Sequence, residues 1–263
     1  MATSQPLRVA VVGVGYHGQH HARILSARSD VRLVGVADTK PDRAAEIAAA
    51  SGTAAFTDFR ELIGQVDAVT IAVPTESHRE VAQPFLERGV GVLVEKPLAR
   101  STQEADAMLA ASRASGAVFA VGHTERYNPA VVAALPHITA PRFIEVHRLG
   151  TFPDRSLEID VVFDLMIHDL DVILSLVSSE VAAVEAVGVP VLTPRVDIAN
   201  ARLKFVSGCI ANLTASRISR ERVRKIRFFQ PDTYVSIDCA SREVETYRLR
   251  REPGQLHGRR GPC

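Results

Sequence analysis

The N-terminal region reads Arg8-Val9-Ala10-Val11-Val12-Gly13-Val14-Gly15-Tyr16-His17-Gly18, a short β-branched run that breaks into the spacing G-x-G-x-x-G. An alanine-bearing segment that suits a helix follows the third glycine. A second apolar run, residues 31–37, ends on Asp38, about 20 residues further along the chain. Strand, glycines, helix, second strand and acid in this order are the fingerprint of a dinucleotide-binding βαβ unit.

Each position in this motif has a physical reason. Gly13 makes the tight turn off the strand, Gly15 lets backbone approach a pyrophosphate, and Gly18 lets the helix pack close to the sheet. The helix N-terminus offers N–H groups and a partial positive charge to the phosphates. Asp38 is expected to accept hydrogen bonds from the adenosine ribose. The predicted cofactor-binding residues of this region are Gly13, Gly15, Tyr16, His17, Gly18 and Asp38.

The nature of the cofactor follows from the acid. Asp38 would repel a 2′-phosphate, so NAD is predicted, and NADP is the alternative because Lys40 lies nearby. An ordinary glycine-rich turn between a strand and a helix is the competing interpretation of the whole motif.

Composition and charge exclude several classes of protein. The 263 residues are 46% hydrophobic and 23% charged, which is typical of a globular protein, and the net charge of +1 gives no general attraction to nucleic acid or an anionic membrane. No membrane-spanning run or signal-peptide core is visible. The widely spaced Cys209, Cys239 and Cys263 form no CxxC pair, so no disulfide framework and no metal site is expected. We predict a reduced, cytoplasmic protein.

The first half of the chain alternates between strand-like and helical segments. Apolar runs occur at 9–12, 33–37, 68–73, 90–94 and 118–121, and helical segments lie between them at 42–51, 78–88 and 102–115. Near-continuous apolar strands separated by helices predict a parallel sheet covered on both faces. Residues 1–123 are therefore predicted to form a doubly wound Rossmann domain in an α/β protein.

The pattern changes after His123. Residues 143–149 are predicted to form a strand and 161–177 one helix. Two hairpins are predicted, with strands 200–206 and 209–216 around one turn and strands 224–230 and 234–238 around the other. Residues 124–250 are thus predicted to form a mostly antiparallel α+β domain, and 251–263, which lack apolar periodicity, a disordered tail.

A lysine at the end of a strand is the first candidate for catalysis. The run at 90–94 is followed by Glu95-Lys96-Pro97. In a doubly wound sheet the carboxyl ends of the strands face the cofactor crevice, so Lys96 is expected where nicotinamide and substrate meet. Pro97 restricts Lys96 to extended backbone. Taken alone, the tripeptide leaves a solvated lysine at a strand end as an equal alternative.

The second candidate lies in the predicted helix over 161–177. Asp164 and His168 are four residues apart, so on a helix they share one face. A carboxylate beside an imidazole sets its tautomer and raises its basicity, as general acid–base catalysis requires. Spacing alone leaves an incidental surface ion pair as the alternative, and metal binding is disfavoured because no second histidine follows at ligand spacing.

In these motifs the sequence resembles the Gfo/Idh/MocA family, the relatives of glucose–fructose oxidoreductase and inositol dehydrogenase. The resemblance is carried by the glycine motif, by Glu95-Lys96-Pro97, and by Asp164-x-x-x-His168 followed by Asp171, and it extends over residues 6–250. It implies a Rossmann domain, then an α+β domain built on a large, mostly antiparallel open sheet that often serves oligomerisation. It also implies NAD(P)-linked oxidation or reduction of a sugar or polyol carbon.

The resemblance assigns roles to individual residues. Lys96 would bind and polarise the reacting hydroxyl, His168 would relay its proton, and Asp164 would orient the pair or touch the sugar. It places four residues beside the cofactor, namely Pro74, Thr75, Glu95 and Lys96.

A narrower resemblance is to family members that oxidise C3 of UDP-linked N-acetylglucosamine-type sugars. It rests on residues 123–129, 152–156 and 215–219, with a basic run at 222–227 after them. Arginines suit a diphosphate, and a charged sheet face is the alternative. The predicted substrate-binding residues are Arg126, Tyr127, Asn128, Arg155, Asp171 and Arg217.

These features together predict an NAD-dependent sugar dehydrogenase acting on a UDP-linked amino sugar, which forms a homo-oligomer, dimer or tetramer, through its C-terminal sheet. No nucleic-acid or membrane partner is expected. The alternatives are a dehydrogenase of a free polyol or hexose of the inositol type, and a non-catalytic NAD(P)-binding sensor on the same fold. The joint presence of Lys96, Asp164 and His168 favours the enzyme.

Overall fold

A computed structural model describes residues 5–152 and 159–250. The chain divides into two compact units after His123, here called the N-terminal and C-terminal units. The predicted tail at 251–263 and the predicted substrate contact Arg155 lie outside the described residues.

The N-terminal unit is built on a six-stranded parallel sheet. Its strands are β1 (Leu7–Val12), β2 (Val31–Ala37), β3 (Ala54–Phe56), β4 (Ala68–Ile71), β5 (Gly91–Val94) and β6 (Phe119–Val121). They lie in the order β3-β2-β1-β4-β5-β6. The order reverses between β1 and β4, so the carboxyl ends of these two strands open the crevice where doubly wound folds bind ligands. The predicted Rossmann fold is confirmed.

Four helices connect these strands: α1 (Gly18–Ser26), α2 (Pro41–Ser51), α3 (His78–Leu86) and α4 (Thr102–Ser115). Local chemistry explains where they begin and end. The Ser101 side chain accepts a hydrogen bond from the Glu104 N–H and caps α4, while α2 ends at Gly52 with a φ of 63°, a conformation that suits glycine. Strand β3 was missed, because a three-residue edge strand with exposed alanines has no apolar signal.

Both faces of the parallel sheet are covered. On one face α3 and α4 pack Phe85, Leu86 and Met108 against the sheet, and on the other α1 and α2 contribute Ala22 and Ile47. This two-sided burial is the reason why these strands read as continuous apolar runs.

The C-terminal unit contains a seven-stranded sheet. Its strands are β7 (Phe143–Leu149), β8 (Val181–Val189), β9 (Ile198–Phe205), β10 (Ile210–Ser216), β11 (Val223–Phe229), β12 (Thr233–Asp238) and β13 (Glu243–Arg248). The order is β13-β12-β11-β7-β10-β9-β8, with β7 and β10 parallel and the other pairs antiparallel. Both predicted hairpins, β9–β10 and β11–β12, are confirmed, as is the mostly antiparallel sheet.

Helices cover one face of this sheet. They are α5 (Pro129–Ala134) and α6 (Ile167–Leu176), and Met166, Val172 and Ile173 pack against inward-facing residues of the strands. The helix predicted over 161–177 begins as a π-helical turn, Val162–Met166, and continues as α6. A π turn holds an extra residue, so the i, i+4 spacing used to pair Asp164 with His168 does not follow a plain α-helical period here.

In the part of the chain that the structure describes, no helix combines the length and the apolar character needed to cross a bilayer.

Candidate functional site

The glycine-rich loop between β1 and α1 forms a cradle that larger residues would fill. Gly13 has a φ of 82°, and a Cβ placed on it would lie 2.7 Å from the Val73 backbone nitrogen. A Cβ on Gly18 would collide with the Gly13 carbonyl oxygen, whereas one on Gly15 would meet no described atom within 4 Å. Gly13 and Gly18 therefore serve the tight turn, and Gly15 presents open backbone to a ligand, as a pyrophosphate site requires.

Asp38, at the carboxyl end of β2, binds this loop directly. One carboxylate oxygen accepts a hydrogen bond from the Val14 N–H at 3.0 Å, and the other accepts one from the Lys40 N–H at 3.0 Å. Arg43 of α2 donates to the Val14 carbonyl at 2.8 Å. Both backbone polar groups of Val14 are thus held by side chains, which restrains the loop at this position. Sequence reasoning missed Arg43, because its partner lies 29 residues away.

A cleft of about 820 Å³ opens beside the loop, within the N-terminal unit. Its walls include Gly13, Gly15, Asp38, Lys40, Arg60 and Pro74. The volume falls in the range of roughly 300–1,000 Å³ that small-molecule and cofactor sites occupy. Thr75 begins the short 3₁₀ helix Thr75–Ser77 that follows Pro74. The glycine cradle, the carboxylate and the cleft together fit a dinucleotide.

Tyr16 and His17 lie at the exposed tip of the same loop. The Tyr16 ring stands edge-on to His17 at 5.1 Å and to His20 at 5.8 Å between ring centroids. More than half of the Tyr16 side chain is exposed. The loop therefore offers aromatic surface next to the glycines, and the predicted cofactor contacts of Tyr16 and His17 stay predictions.

Glu95 and Lys96, the two residues after β5, have different environments. The Glu95 carboxylate lies 3.0 Å from His21 Nε2 and accepts the Lys96 backbone N–H at 3.3 Å. Its side chain is largely buried. This inward placement does not support the predicted contact of Glu95 with the cofactor, because the carboxylate is engaged inside the unit. Lys96 follows at the carboxyl end of the strand, as the sequence predicts.

In the C-terminal unit, the predicted acid–base pair spans the junction between the π turn and α6. Asp164 lies in the π turn and His168 in the first turn of α6, and both are half-buried. π-Helical turns occur often at functional sites, because the extra residue re-aims the side chains around it.

Two ion pairs hold this part of α6. Both oxygens of Asp171 accept hydrogen bonds from Arg126, each at 2.5 Å, and about half of the Arg126 side chain stays exposed. Arg148 on β7 binds Asp169 in the same bidentate manner, at 2.7 and 2.8 Å, and also donates to Glu125 at 2.9 Å. Because Asp169 directly follows His168, its ion pair with Arg148 ties the helix that carries His168 to strand β7.

The network of Glu125, Arg148 and Asp169 is buried, and sequence reasoning missed it. Burial alone would lower the pKa of Arg148, but the hydrogen bonds and charges of the two carboxylates outweigh it and raise that pKa. Burial also pushes the pKa of Glu125 upward, yet Arg148 and Asn128 hold it below its usual value. Burial has the larger effect on Asp169 and raises its pKa, although the hydrogen bond and charge of Arg148 act in the opposite direction. A signal was present, since Arg148 occupies an inward-facing position of an alternating strand.

Two predicted substrate contacts are placed inside the fold instead. Asn128 caps α5 by accepting the Ala130 N–H, and its amide donates to Glu125 and to the Cys239 carbonyl. Arg217 is 1% exposed and binds Asp197, the Ile159 carbonyl and the Thr193 hydroxyl. These placements do not support contacts with substrate, because both side chains already satisfy buried partners. Tyr127 is 80% exposed, and its contact stays a prediction.

The basic run at 222–227 does not form one cluster. Because β11 is a strand, its side chains alternate between the two faces of the sheet. Arg227 and Lys225 pair with Glu145 and Asp238 on the face opposite α5 and α6. Arg224 stands directly opposite Arg148 on the helix-covered face and is exposed. Within β11, Arg224 is thus the arginine that the strand register places on the same sheet face as the predicted catalytic helix.

Within residues 5–152 and 159–250, no group of three or more His, Cys, Asp or Glu side chains could hold a metal ion.

Comparison with known proteins covers both units. Residues 7–123 match the model of an oxidoreductase family with an NAD-binding Rossmann fold, and residues 138–233 match the GFO/IDH/MocA C-terminal domain. A UDP-N-acetylglucosamine 3-dehydrogenase of Acidithiobacillus ferrooxidans is 42% identical over 92% of this chain and 77% of its own length. An inositol 2-dehydrogenase of Rhizobium meliloti is 32% identical over 68% of this chain, which covers 58% of that protein.

Solved structures show the same architecture. One of the UDP-N-acetylglucosamine 3-dehydrogenase from Acidithiobacillus ferrooxidans has a TM-score of 0.89 and 40% sequence identity, and the match covers 97% of this chain and 85% of that one.

Proposed function

The chain belongs to the GFO/IDH/MocA family of NAD-binding oxidoreductases, and from this premise we propose that it oxidises a ring hydroxyl of a UDP-linked amino sugar, UDP-N-acetylglucosamine at C3, with NAD as the oxidant. One observation carries the proposal. The likeness to the UDP-N-acetylglucosamine dehydrogenase runs through 92% of the chain and both units, whereas the likeness to the inositol dehydrogenase covers 68%.

The chemistry assigns each half of the reaction to a group. The secondary alcohol becomes a ketone as its carbon loses a hydride and its oxygen a proton. Bound NAD supplies the hydride acceptor. Lys96 binds and polarises the hydroxyl, His168 accepts the proton, and Asp164 orients His168 or contacts the sugar. Gly13, Gly15, Gly18 and Asp38 hold the cofactor, and Arg126 with Asp171 borders the substrate.

Competition by UDP tests the substrate class. The exposed parts of Arg126 and Arg224 are the cations that we propose for the diphosphate, since guanidinium groups bind phosphate oxygens in pairs. We expect UDP to compete with UDP-N-acetylglucosamine, and free N-acetylglucosamine to reduce NAD far more slowly. NADH absorbance measures both. Absence of UDP binding at millimolar concentration, together with rapid NAD reduction by myo-inositol, would identify a free-polyol dehydrogenase instead.

The preference for NAD over NADP is a second expected result. Asp38 would face a 2′-phosphate at short range and repel it. Lys40 and Arg43 line the same cleft and would offset part of this repulsion. We expect NADH to bind at least roughly tenfold more tightly than NADPH, about 1.4 kcal/mol, and Asp38→Ala to narrow this ratio. Fluorescence titration of both nucleotides measures it. Asp42→Ala, an exposed acid in the first turn of α2, is the control that leaves the ratio unchanged; tighter binding of NADPH to the wild type would contradict the prediction.

We also propose that the enzyme is a homo-oligomer formed through the C-terminal sheet. Edge strand β8 is exposed along its whole length and is rich in apolar residues, with Val184 and Val187 about 60% exposed. An exposed apolar edge of this kind marks an interaction surface. Sedimentation equilibrium measures the subunit number, and a monomer at micromolar concentration would contradict the proposal.

A further inference from the structure

The contact between His21 and Glu95 joins the cofactor-binding helix to the strand that carries the catalytic lysine. His21 lies on α1, directly after the glycine loop, and its Nε2 is 3.0 Å from the Glu95 carboxylate at the end of β5. The other ring nitrogen, Nδ1, is 2.7 Å from the Thr70 hydroxyl on β4. The imidazole is thus held at both nitrogens, which fixes the ring orientation.

The Glu95 carboxylate is confined on its other sides as well. A Cβ built on Gly122, just after β6, would lie 3.0 Å from the carboxyl carbon and from both oxygens. One of these oxygens accepts the backbone N–H of Lys96. The side chains of His21 and Glu95 are only 20% and 15% exposed. The ends of β5 and β6 and helix α1 therefore meet at a single carboxylate adjacent to Lys96, and β4 is linked to it through His21.

The charge state of Glu95 is also consistent with its contact to His21. Burial alone would raise the pKa of Glu95, but the hydrogen bond and charge of His21, together with the charge of His17, bring it below its usual value. Glu95 is therefore an ionised group inside the unit. An ionised carboxylate in such a place needs a partner to hold it, since an unpaired buried charge is strongly destabilising.

We propose that His21 is a positioning residue for Lys96, acting through Glu95. This inference rests on the proposed function, in which Lys96 binds the reacting hydroxyl. The Lys96 backbone donates to the carboxylate that His21 holds, so the position of the lysine at the end of β5 depends on α1. The same helix whose N-terminus would face the cofactor phosphates thereby keeps the catalytic lysine in place.

Two substitutions of His21 separate the contacts of its two nitrogens. An asparagine amide occupies the position of Nδ1, so His21→Asn keeps a polar group near Thr70 and loses the bond to Glu95. A glutamine amide reaches the position of Nε2, so His21→Gln preserves that bond. We expect His21→Asn to lower kcat with UDP-N-acetylglucosamine on the order of 10–100-fold, because small displacements of a catalytic group have effects of this size.

The same experiment contains its controls. NADH affinity of His21→Asn should stay within about twofold of the wild type, and His21→Gln should recover most of kcat. His20→Asn removes the exposed neighbouring histidine and should turn over normally. Wild-type kcat in His21→Asn, or equal losses in the asparagine and glutamine variants, would overturn the proposal.

A second measurement does not depend on turnover. Lysine occurs only at positions 40, 96, 204 and 225, so competitive acetylation by acetic anhydride, quantified by mass spectrometry, reports Lys96 against three internal references. We expect the relative rate at Lys96 to change at least about threefold, or half a pKa unit, in His21→Asn, and to stay constant in His20→Asn. An unchanged rate in His21→Asn would overturn the proposal.

The acetylation measurement also distinguishes a failure of the proposed function from a failure of the positioning role of His21. A wild type that does not oxidise UDP-N-acetylglucosamine contradicts the proposed function, while the acetylation rates still decide whether His21 positions Lys96. Should His21→Asn fail to fold, Thr70→Val removes the hydroxyl that holds Nδ1 and keeps the shape of the side chain. The same change at Lys96 is then expected, and its absence counts against the proposal.

Discussion

Replacing Lys96 by alanine is expected to lower kcat/KM for UDP-N-acetylglucosamine by roughly 10³-fold or more, because the variant loses the cation that polarises the reacting hydroxyl. Folding should be little affected. The lysine follows the end of β5 and is absent from the buried apolar core of the N-terminal unit, so we expect the Tm to fall by no more than about 3 °C. NADH absorbance and thermal unfolding measure the two effects.

The matched control removes another cation close by in sequence. Arg100→Ala eliminates an exposed guanidinium that pairs with Glu104, and surface ion pairs of this kind contribute little. Its turnover should equal that of the wild type. If Lys96→Ala retained wild-type rates at an unchanged Tm, Lys96 would be a solvated lysine at a strand end and the mechanism would need another group.

The second large effect is expected at His168. His168→Asn keeps a hydrogen-bonding side chain but loses the titrating group, so we expect the rate to fall on the order of 10²–10⁴-fold. The pH profile of kcat/KM should also flatten on its acidic side, because the group proposed to accept the proton has been removed. Rates measured across a pH series, with NADH affinity as a check on cofactor binding, test both statements.

The control for His168→Asn is an exposed histidine in the same unit. His137 lies in a short 3₁₀ helix and should tolerate asparagine without loss of rate. The ion pairs on α6, Arg126 with Asp171 and Arg148 with Asp169, stay intact in both variants, so the helix should keep its place. An unchanged pH profile in His168→Asn would assign the proton transfer to Lys96 or to water.

Local pattern was enough to predict most of the framework. The parallel sheet follows from apolar runs that alternate with helical segments, and the hairpins β9–β10 and β11–β12 follow from period-two alternation around short turns. Residues whose roles depend on their own backbone were predicted for the same reason. Gly13 and Gly18 are examples, because turn geometry and steric contact act over a few residues.

Contacts between distant residues could not be read in this way. The π turn before α6 and the three-residue strand β3 leave no periodic signal. Arg148 stood at an inward position of β7, yet no local pattern indicated that Asp169 and Glu125 would be its partners. The basic residues that suit a diphosphate in composition were also divided. Arg217 is buried on Asp197, whereas Lys225 and Arg227 lie on the face of the C-terminal sheet opposite α5 and α6.

Short-range sterics and hydrophobic periodicity along the chain predict the two-part fold, the glycine cradle with Asp38, and the positions of Lys96 and His168. Which polar side chains are hydrogen-bonded inside the protein, and which stay exposed to a ligand, depends instead on how distant elements pack together. His21 and Glu95 are 74 residues apart in the sequence, and Arg43 and Val14 are 29 residues apart. Such pairs form only after packing brings the elements together, where burial makes each charge depend on the partner beside it.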